Sequence, residues 1–220
     1  MSYPVFVLGE SGTGKSTSLR NLKPSDCTLV QVVKKPLPFK SKDWQRFDAT
    51  TKKGNVFCFD DAEKIIRVIN GAKTPIVIID DFQYLMANEF LRRSSERGFD
   101  KFTEIAKHAH SIIEAAANSN NNKRIYILSH TETGDDDITR IKTIGKLLNE
   151  KITLEGLVTM VLRTHVESGS YQFSTRNNGK DTVKTPFGMF DSQYIDNDLL
   201  TVDNAIKDFY DINDSIDMAA

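Results

Sequence analysis

The chain is poor in the features that place a protein outside the cell or in a membrane. Its 220 residues include two cysteines, Cys27 and Cys58, too few for a disulfide scaffold and without the CxxC spacing of a metal site. Both stand in apolar strand-like runs, so both are read as reduced, buried thiols of an intracellular protein. No apolar run approaches the roughly 18 residues of a membrane span. The N-terminus enters a strand at once, which leaves no place for a signal peptide and predicts a cytoplasmic protein, or one of a host cytoplasm. A dominant charge is also missing. Lys and Arg number 29 against 30 Asp and Glu, a net −1, which excludes a surface that coats nucleic acid by bulk charge but permits a local basic path. No repeat or linker-like segment interrupts the chain, so residues 1–220 are read as one domain with an ordinary 39% hydrophobic content.

What is present is concentrated near the N-terminus. Gly9, Glu10, Ser11, Gly12, Thr13, Gly14, Lys15, Ser16 and Thr17 match the phosphate-loop pattern GxxxxGK[ST] without a mismatch. An apolar strand (residues 5–8) leads in and a helix-compatible stretch (16–22) leads out. Glycines let backbone N–H groups converge on a phosphate, and the helix adds its positive end. Lys15 then reaches the β- and γ-phosphates, and the Ser16 hydroxyl sits on Mg²⁺. A nucleoside triphosphate with Mg²⁺ is the expected ligand. The absence of an NKxD guanine motif favours ATP.

Further apolar runs lie at 28–33, 56–59, 76–79, 124–128, 157–162 and 171–174. Between them, Ala62, Ile65, Ile66 and Ile69 share a helical face capped by Asp60 or Asp61 and stopped at Gly71. A longer stripe runs from Phe102 to Ala116 and closes in the asparagine run 118–122. Strands alternating with helices predict an α/β fold, a mostly parallel sheet flanked by helices, with the last two strands forming an antiparallel hairpin. Residues 34–55, 86–98 and 131–143 read as long irregular loops.

The run at 76–79 ends in Asp80 and Asp81. Asp80 is placed on Mg²⁺, and pleat alternation aims Asp81 elsewhere, towards the attacking water. Ser129 and His130 follow another strand, where a polar residue reads the γ-phosphate. His108 and His110 do not share a helix face as a metal pair would, and His165 carries no legible signal.

With these motifs in place, the chain resembles the RecA-like ATPase cores, and more closely the phage single-strand annealing proteins of the Sak-four type. The resemblance rests on residues 9–17, 74–85 (TPIVIIDDFQYL), 127–133 (ILSHTET), 145–164, 171–190 and 195–202, most of the chain. It implies a RecA-like fold, ATP and Mg²⁺, a homo-oligomeric ring or filament, and single-stranded DNA held by two loops. By position these are 86–98, with Arg92, Arg93 and Arg97, and 131–143, with Arg140 and Lys142; Tyr84, Phe90 and Phe99 could stack bases. A single-strand-binding protein is a further expected partner. The chain departs from RecA in two places. Lys34 and Lys35 stand where RecA carries its catalytic glutamate, so Asp81 is the leading base, with Glu10 and Asp60 behind it. No room precedes Val5 for RecA's polymerising segment.

Arg176, Lys180 and Lys184 form a basic group after the last clear strand, and the resemblance makes Lys180 and Lys184 donors to a neighbour's γ-phosphate in trans. Asp208, Asp211, Asp214 and Asp217 mark residues 206–220 as a solvated, flexible acidic tail. The function read from all this is a Mg-ATP-binding ATPase acting on single-stranded DNA in phage recombination or replication, with strand annealing as the specific task. A nucleotide-switched interaction module such as a helicase loader is the alternative. A small-molecule kinase would need an arginine-rich lid, and residues 34–55 hold a single arginine.

Overall fold

In a computed structural model, which describes residues 1–119 and 122–214, the chain forms one eight-stranded sheet with helices on both faces. The elements are β1 (Tyr3–Leu8), β2 (Cys27–Gln31), β3 (Val56–Cys58), α1 (Ala62–Gly71), β4 (Ile76–Asp80), α2 (Gln83–Arg92), α3 (Asp100–Asn118) and β5 (Arg124–Ser129). They continue with β6 (Thr131–Thr133), β7 (Thr139–Ile141), β8 (Met160–Glu167), β9 (Ser170–Ser174), β10 (Tyr194–Asp196) and α4 (Leu199–Phe209). The sheet order is β10-β9-β8-β1-β5-β4-β2-β3. Its central pairs are parallel, and β9 runs antiparallel to both β8 and β10. This is the sheet expected of a RecA-like core.

The strands are apolar on both sides because both sides are covered. Phe6, Leu8, Val77, Ile79, Ile125 and Ile127 pack under α1 and α3. The alternate residues Val5, Val7, Ile78, Tyr126 and Leu128 pack with Leu19 and with Val202 and Ile206 of α4. Ser168 and Gly169 both take positive φ between β8 and β9, the backbone that closes a two-residue hairpin with the right twist.

Four expectations need correction. Residues 86–98 are irregular only from 93 onward: 86–92 belong to α2, whose Leu85 and Met86 are buried in the core. Residues 131–143 form the β6–β7 hairpin, with Thr131 opposite Ile141 and Thr133 opposite Thr139. Cys58 is half-buried rather than buried as expected. The stretch after the phosphate loop is helical as expected, as a short 3-10 helix, Ser16–Asn21. Residues 206–214 are not a solvated tail. Ile206 and Ile212 are buried, and Asp214 accepts hydrogen bonds from buried Arg124 at 2.6 and 2.8 Å. Asp208 and Asp211 are exposed, and Asp217 lies outside the described residues. Both cysteines are free, but only Cys27 is fully buried. Burial, helped by nearby Asp203, raises its thiol pKa well above the ordinary range. Among the described residues no helix is long and apolar enough to cross a membrane.

Candidate nucleotide site

The phosphate loop, Asp80, Asp81, Ser129 and His130 sit at the carboxyl ends of parallel strands, where a doubly wound sheet leaves a crevice. Because β5 lies between β1 and β4, Ser129 and His130 emerge between the phosphate loop and the two aspartates. A cavity of about 440 Å³ opens there, lined by Ser11, Gly12 and residues 14–17 of the loop together with Lys35, Asp81, Tyr84 and His130. A larger cleft of about 750 Å³ lies beside Cys27, Phe57 and Thr74. It holds none of the phosphate-loop groups, so chemistry rather than size selects the smaller one.

The loop is built around its glycines. Gly12 and Gly14 take φ of +78° and +98°, a region that side chains disfavour. A Cβ on Gly9 would stand 1.8 Å from Thr164 Oγ1, and one on Gly14 would stand 2.9 Å from Asn197 Oδ1. The backbone is therefore gripped from β8 and from the turn before α4. Thr13 and Thr164 share a hydrogen bond at 2.7 Å, and Arg20 donates to the Asn197 carbonyl.

Lys15 is buried, and its Nζ donates to the carbonyls of Gly9 at 2.8 Å and Glu10 at 2.6 Å. Burial lowers its pKa to about 8, against the raising fields of Asp80 and Asp81. Ser16 Oγ donates to both carboxylate oxygens of Asp80 at 3.0 Å. Asp80 is fully buried, and its pKa rises to about 6, first from burial and then from neighbouring Asp81. A raised acid pKa means that the fold favours the protonated form. That contribution to stability is complete below the ordinary carboxylate pKa and is lost as the pH rises through about 6.

Asp81 does not turn away as strand alternation predicts. β4 ends at Asp80, and Asp81 takes a left-handed φ of +65°, a conformation that costs a non-glycine residue free energy and gathers at functional sites. Its carboxylate stays in the crevice, 2.6 Å from Lys35 Nζ and 3.9 Å from His130 Nε2. Burial of Lys35 works against its charge, but the hydrogen bond to Asp81 and the field of Asp80 outweigh it and raise its pKa. Burial, then the Lys15 charge, lowers the pKa of His130, and its ring stands edge-on to Tyr84 at 5.7 Å. Of the other two candidate bases, Glu10 is exposed, and Asp60 accepts from Arg92 at 2.5 Å and from Asn88 at 2.8 Å.

The donor set fits a magnesium triphosphate. Asn197 Nδ2 and Ser129 Oγ are the buried side-chain polar atoms without a partner among the described residues, and both belong to segments that flank the loop. No group of three or more His, Cys, Asp or Glu among the described residues could hold a metal alone. Mg²⁺ would take Ser16 and Asp80 from the protein and its other ligands from phosphate oxygens and water.

The remaining expected site residues lie outside this cavity. Arg92 pairs with Asp60, Arg93 with Glu89, Glu96 and Glu104, and Arg140 with Asp136. Arg97 and Lys142 are exposed and have no carboxylate partner among the described residues. Lys180 is exposed, and its carbonyl accepts from Thr139 N of β7. Lys184 pairs through its backbone with Val161 of β8. The sequence reading missed Lys35, Thr164 and Asn197. Only Lys35 left a signal, as a lysine where an acid was sought.

Neither a protein-family model nor a curated protein matches the chain in sequence. Among solved structures, it is similar to a DnaB-like replicative helicase determined with its interactions with primase, at 15% identity and a TM-score of 0.45. The match covers 78% of this chain and 51% of that one, so the chain spans about half the helicase's length. The likeness assigns no role to any residue here.

Proposed function

We propose that this chain is a Mg²⁺-dependent ATPase that acts on single-stranded DNA, with strand annealing in phage recombination or replication as its task. The observation that carries the nucleotide part is the Ser16–Asp80 pair, which joins the phosphate loop to the end of β4 at 3.0 Å. Lys15 binds the β- and γ-phosphates, Asp81 orients the attacking water and accepts its proton, and His130 reads the terminal phosphate. Mg²⁺, when bound, supplies charge neutralisation for the phosphate oxygens. Lys180 and Lys184 complete a neighbour's site in a ring or filament.

The DNA part is supported by the β6–β7 hairpin, which rises directly from His130. Lys142 N donates to the His130 carbonyl at 2.8 Å, so a shift at the phosphate-reading residue reaches a basic side chain through one hydrogen bond. Of the five basic residues assigned to DNA, Arg97 and Lys142 have no carboxylate partner among the described residues, which leaves their charge to meet phosphate. Single-stranded DNA binding measured with ATP across a salt series is expected to weaken steeply as salt rises. Replacing Arg97 or Lys142 with alanine should lower the log–log slope by about 0.7 for each lost contact. Alanine at Arg92, Arg93 or Arg140 should change it less. Absent or salt-independent binding would contradict the DNA reading and leave a nucleotide-switched interaction module.

A further inference from the structure

The crevice holds two ammonium groups, and only Lys15 belongs to the phosphate loop. Lys35 enters from the segment after β2, and its backbone is held firmly. Gln31 Nε2 donates to the Lys35 carbonyl at 3.1 Å, and Gln31 itself is buried. Pro36 follows, which confines Lys35 to extended backbone, and Leu37 packs against the apolar cluster beyond it. The side chain keeps 41% of its exposure while Asp81 keeps 3%. A fixed stalk therefore carries a head group on the open wall of the cavity, able to swing between partners.

Its present partner explains how Asp81 is tolerated. A buried carboxylate beside fully buried Asp80 needs a counter-charge, and Lys35 Nζ supplies it at 2.6 Å. A triphosphate in the cavity would bring terminal phosphate oxygens able to compete with Asp81 for the same ammonium, and a diphosphate would leave it to Asp81.

On the nucleotide reading above, we propose that Lys35 reads the γ-phosphate in cis. It neutralises Asp81 in the nucleotide-free protein and transfers to the terminal phosphate when a triphosphate binds, which frees Asp81 to meet water beside His130. Discrimination between triphosphate and diphosphate is then a property of the single subunit. Lys180 and Lys184 of a neighbour contribute to turnover but not to this choice.

The test is calorimetric binding of Mg·ADP and of a slowly hydrolysed Mg·ATP analogue to the parental chain, Lys35→Met, Lys35→Arg and the double variant Lys35→Met/Asp81→Asn. The parental protein is expected to prefer the triphosphate. Lys35→Met should lose roughly tenfold or more of that preference, the size of a lost charge-assisted hydrogen bond, with ADP affinity within about twofold of parental. Lys35→Arg should keep the preference. The double variant removes both charges, so it remains informative where Lys35→Met alone fails to fold, and it should lack most of the preference. Undiminished preference in Lys35→Met or in the double variant overturns the role of Lys35 and leaves the nucleotide site standing. A parental protein that binds neither nucleotide overturns the nucleotide reading and this proposal with it.

Discussion

Lys15→Met is expected to bring ATP hydrolysis to background while the nucleotide-free protein melts within a few degrees of the parental chain. On the nucleotide reading, the loss of turnover follows from removing an oriented cation at the transferring phosphoryl group, an effect of roughly 10²-fold or more. The unchanged fold follows from two opposing terms. Burial lowers the Lys15 pKa from 10.5 to about 8, so at neutral pH the folded state carries a desolvated ammonium at a cost of up to about 3 kcal/mol. Methionine removes that cost but leaves the Gly9 and Glu10 carbonyls without their donor, at about 1 kcal/mol or more each. The sign is testable. A lowered lysine pKa gives stability that is present above its unfolded value of 10.5 and lost as the pH falls through about 8. The parental protein should therefore gain stability between those limits, and the variant should not. Thermal unfolding against pH together with phosphate release checks both halves, and hydrolysis within tenfold of parental would refute the role of Lys15.

The largest effect on stability is expected at Arg124, which does not line the candidate nucleotide cavity. Arg124 is 1% exposed, at the start of β5. Its Nε and Nη2 donate to Asp203 of α4 at 2.9 and 3.1 Å, and it pairs with Asp214 as described above. Tyr126 OH also donates to Asp203, at 2.8 Å. Removing one member of a buried ion cluster leaves its partners uncompensated, at about 3–5 kcal/mol. Lys207, 3.9 Å from Asp203, relieves part of this. Arg124→Met should lower the melting temperature by roughly 10 °C for a chain of this size, and Asp203→Asn on top of it should recover part of the loss because the stranded charge is gone. Arg124 lies at the opposite end of β5 from His130, so nucleotide affinity under native conditions should stay near parental. Denaturant unfolding of the single and double variants measures the coupling. A single-variant loss below about 1 kcal/mol would show that the cluster contributes little beyond its desolvation cost.

The glycine-rich loop and the strand ending in Asp80 are legible because the proposed chemistry needs particular residue types in an unbroken run, and the structure brings the two together. The strands were legible because a sheet covered on both faces writes short apolar runs into the chain. What was not legible depends on partners distant in sequence. Residues 86–98 read as a polar loop because the partners of their charges lie elsewhere in the chain: Arg92, at the end of α2, pairs with Asp60, and Arg93, just past it, with Glu104 on α3. Asp214 looked like a solvated tail residue because its partner Arg124 lies 90 positions earlier. In the sequence Lys35 shows only as a lysine in place of an acid, since nothing local says that Asp81 turns left-handed towards it. The β6–β7 hairpin was hidden by the acidic run at 135–137, which is its turn.

The central claim is that the phosphate loop and Asp80 form one magnesium-triphosphate site. Its most direct test is a calorimetric titration of ATP into the parental and Asp80→Asn proteins, with and without Mg²⁺, at pH values on either side of 6. Mg²⁺ and the proton compete for Asp80, whose pKa is raised to about 6. The account predicts that Mg²⁺ strengthens parental binding by roughly tenfold or more above that pH, and that the gain fades as the pH falls through it. Asp80→Asn should show a much smaller gain that does not change through about pH 6, with Mg²⁺-free affinity undiminished. Absence of parental binding, or an equal Mg²⁺ gain in both proteins, would contradict the account.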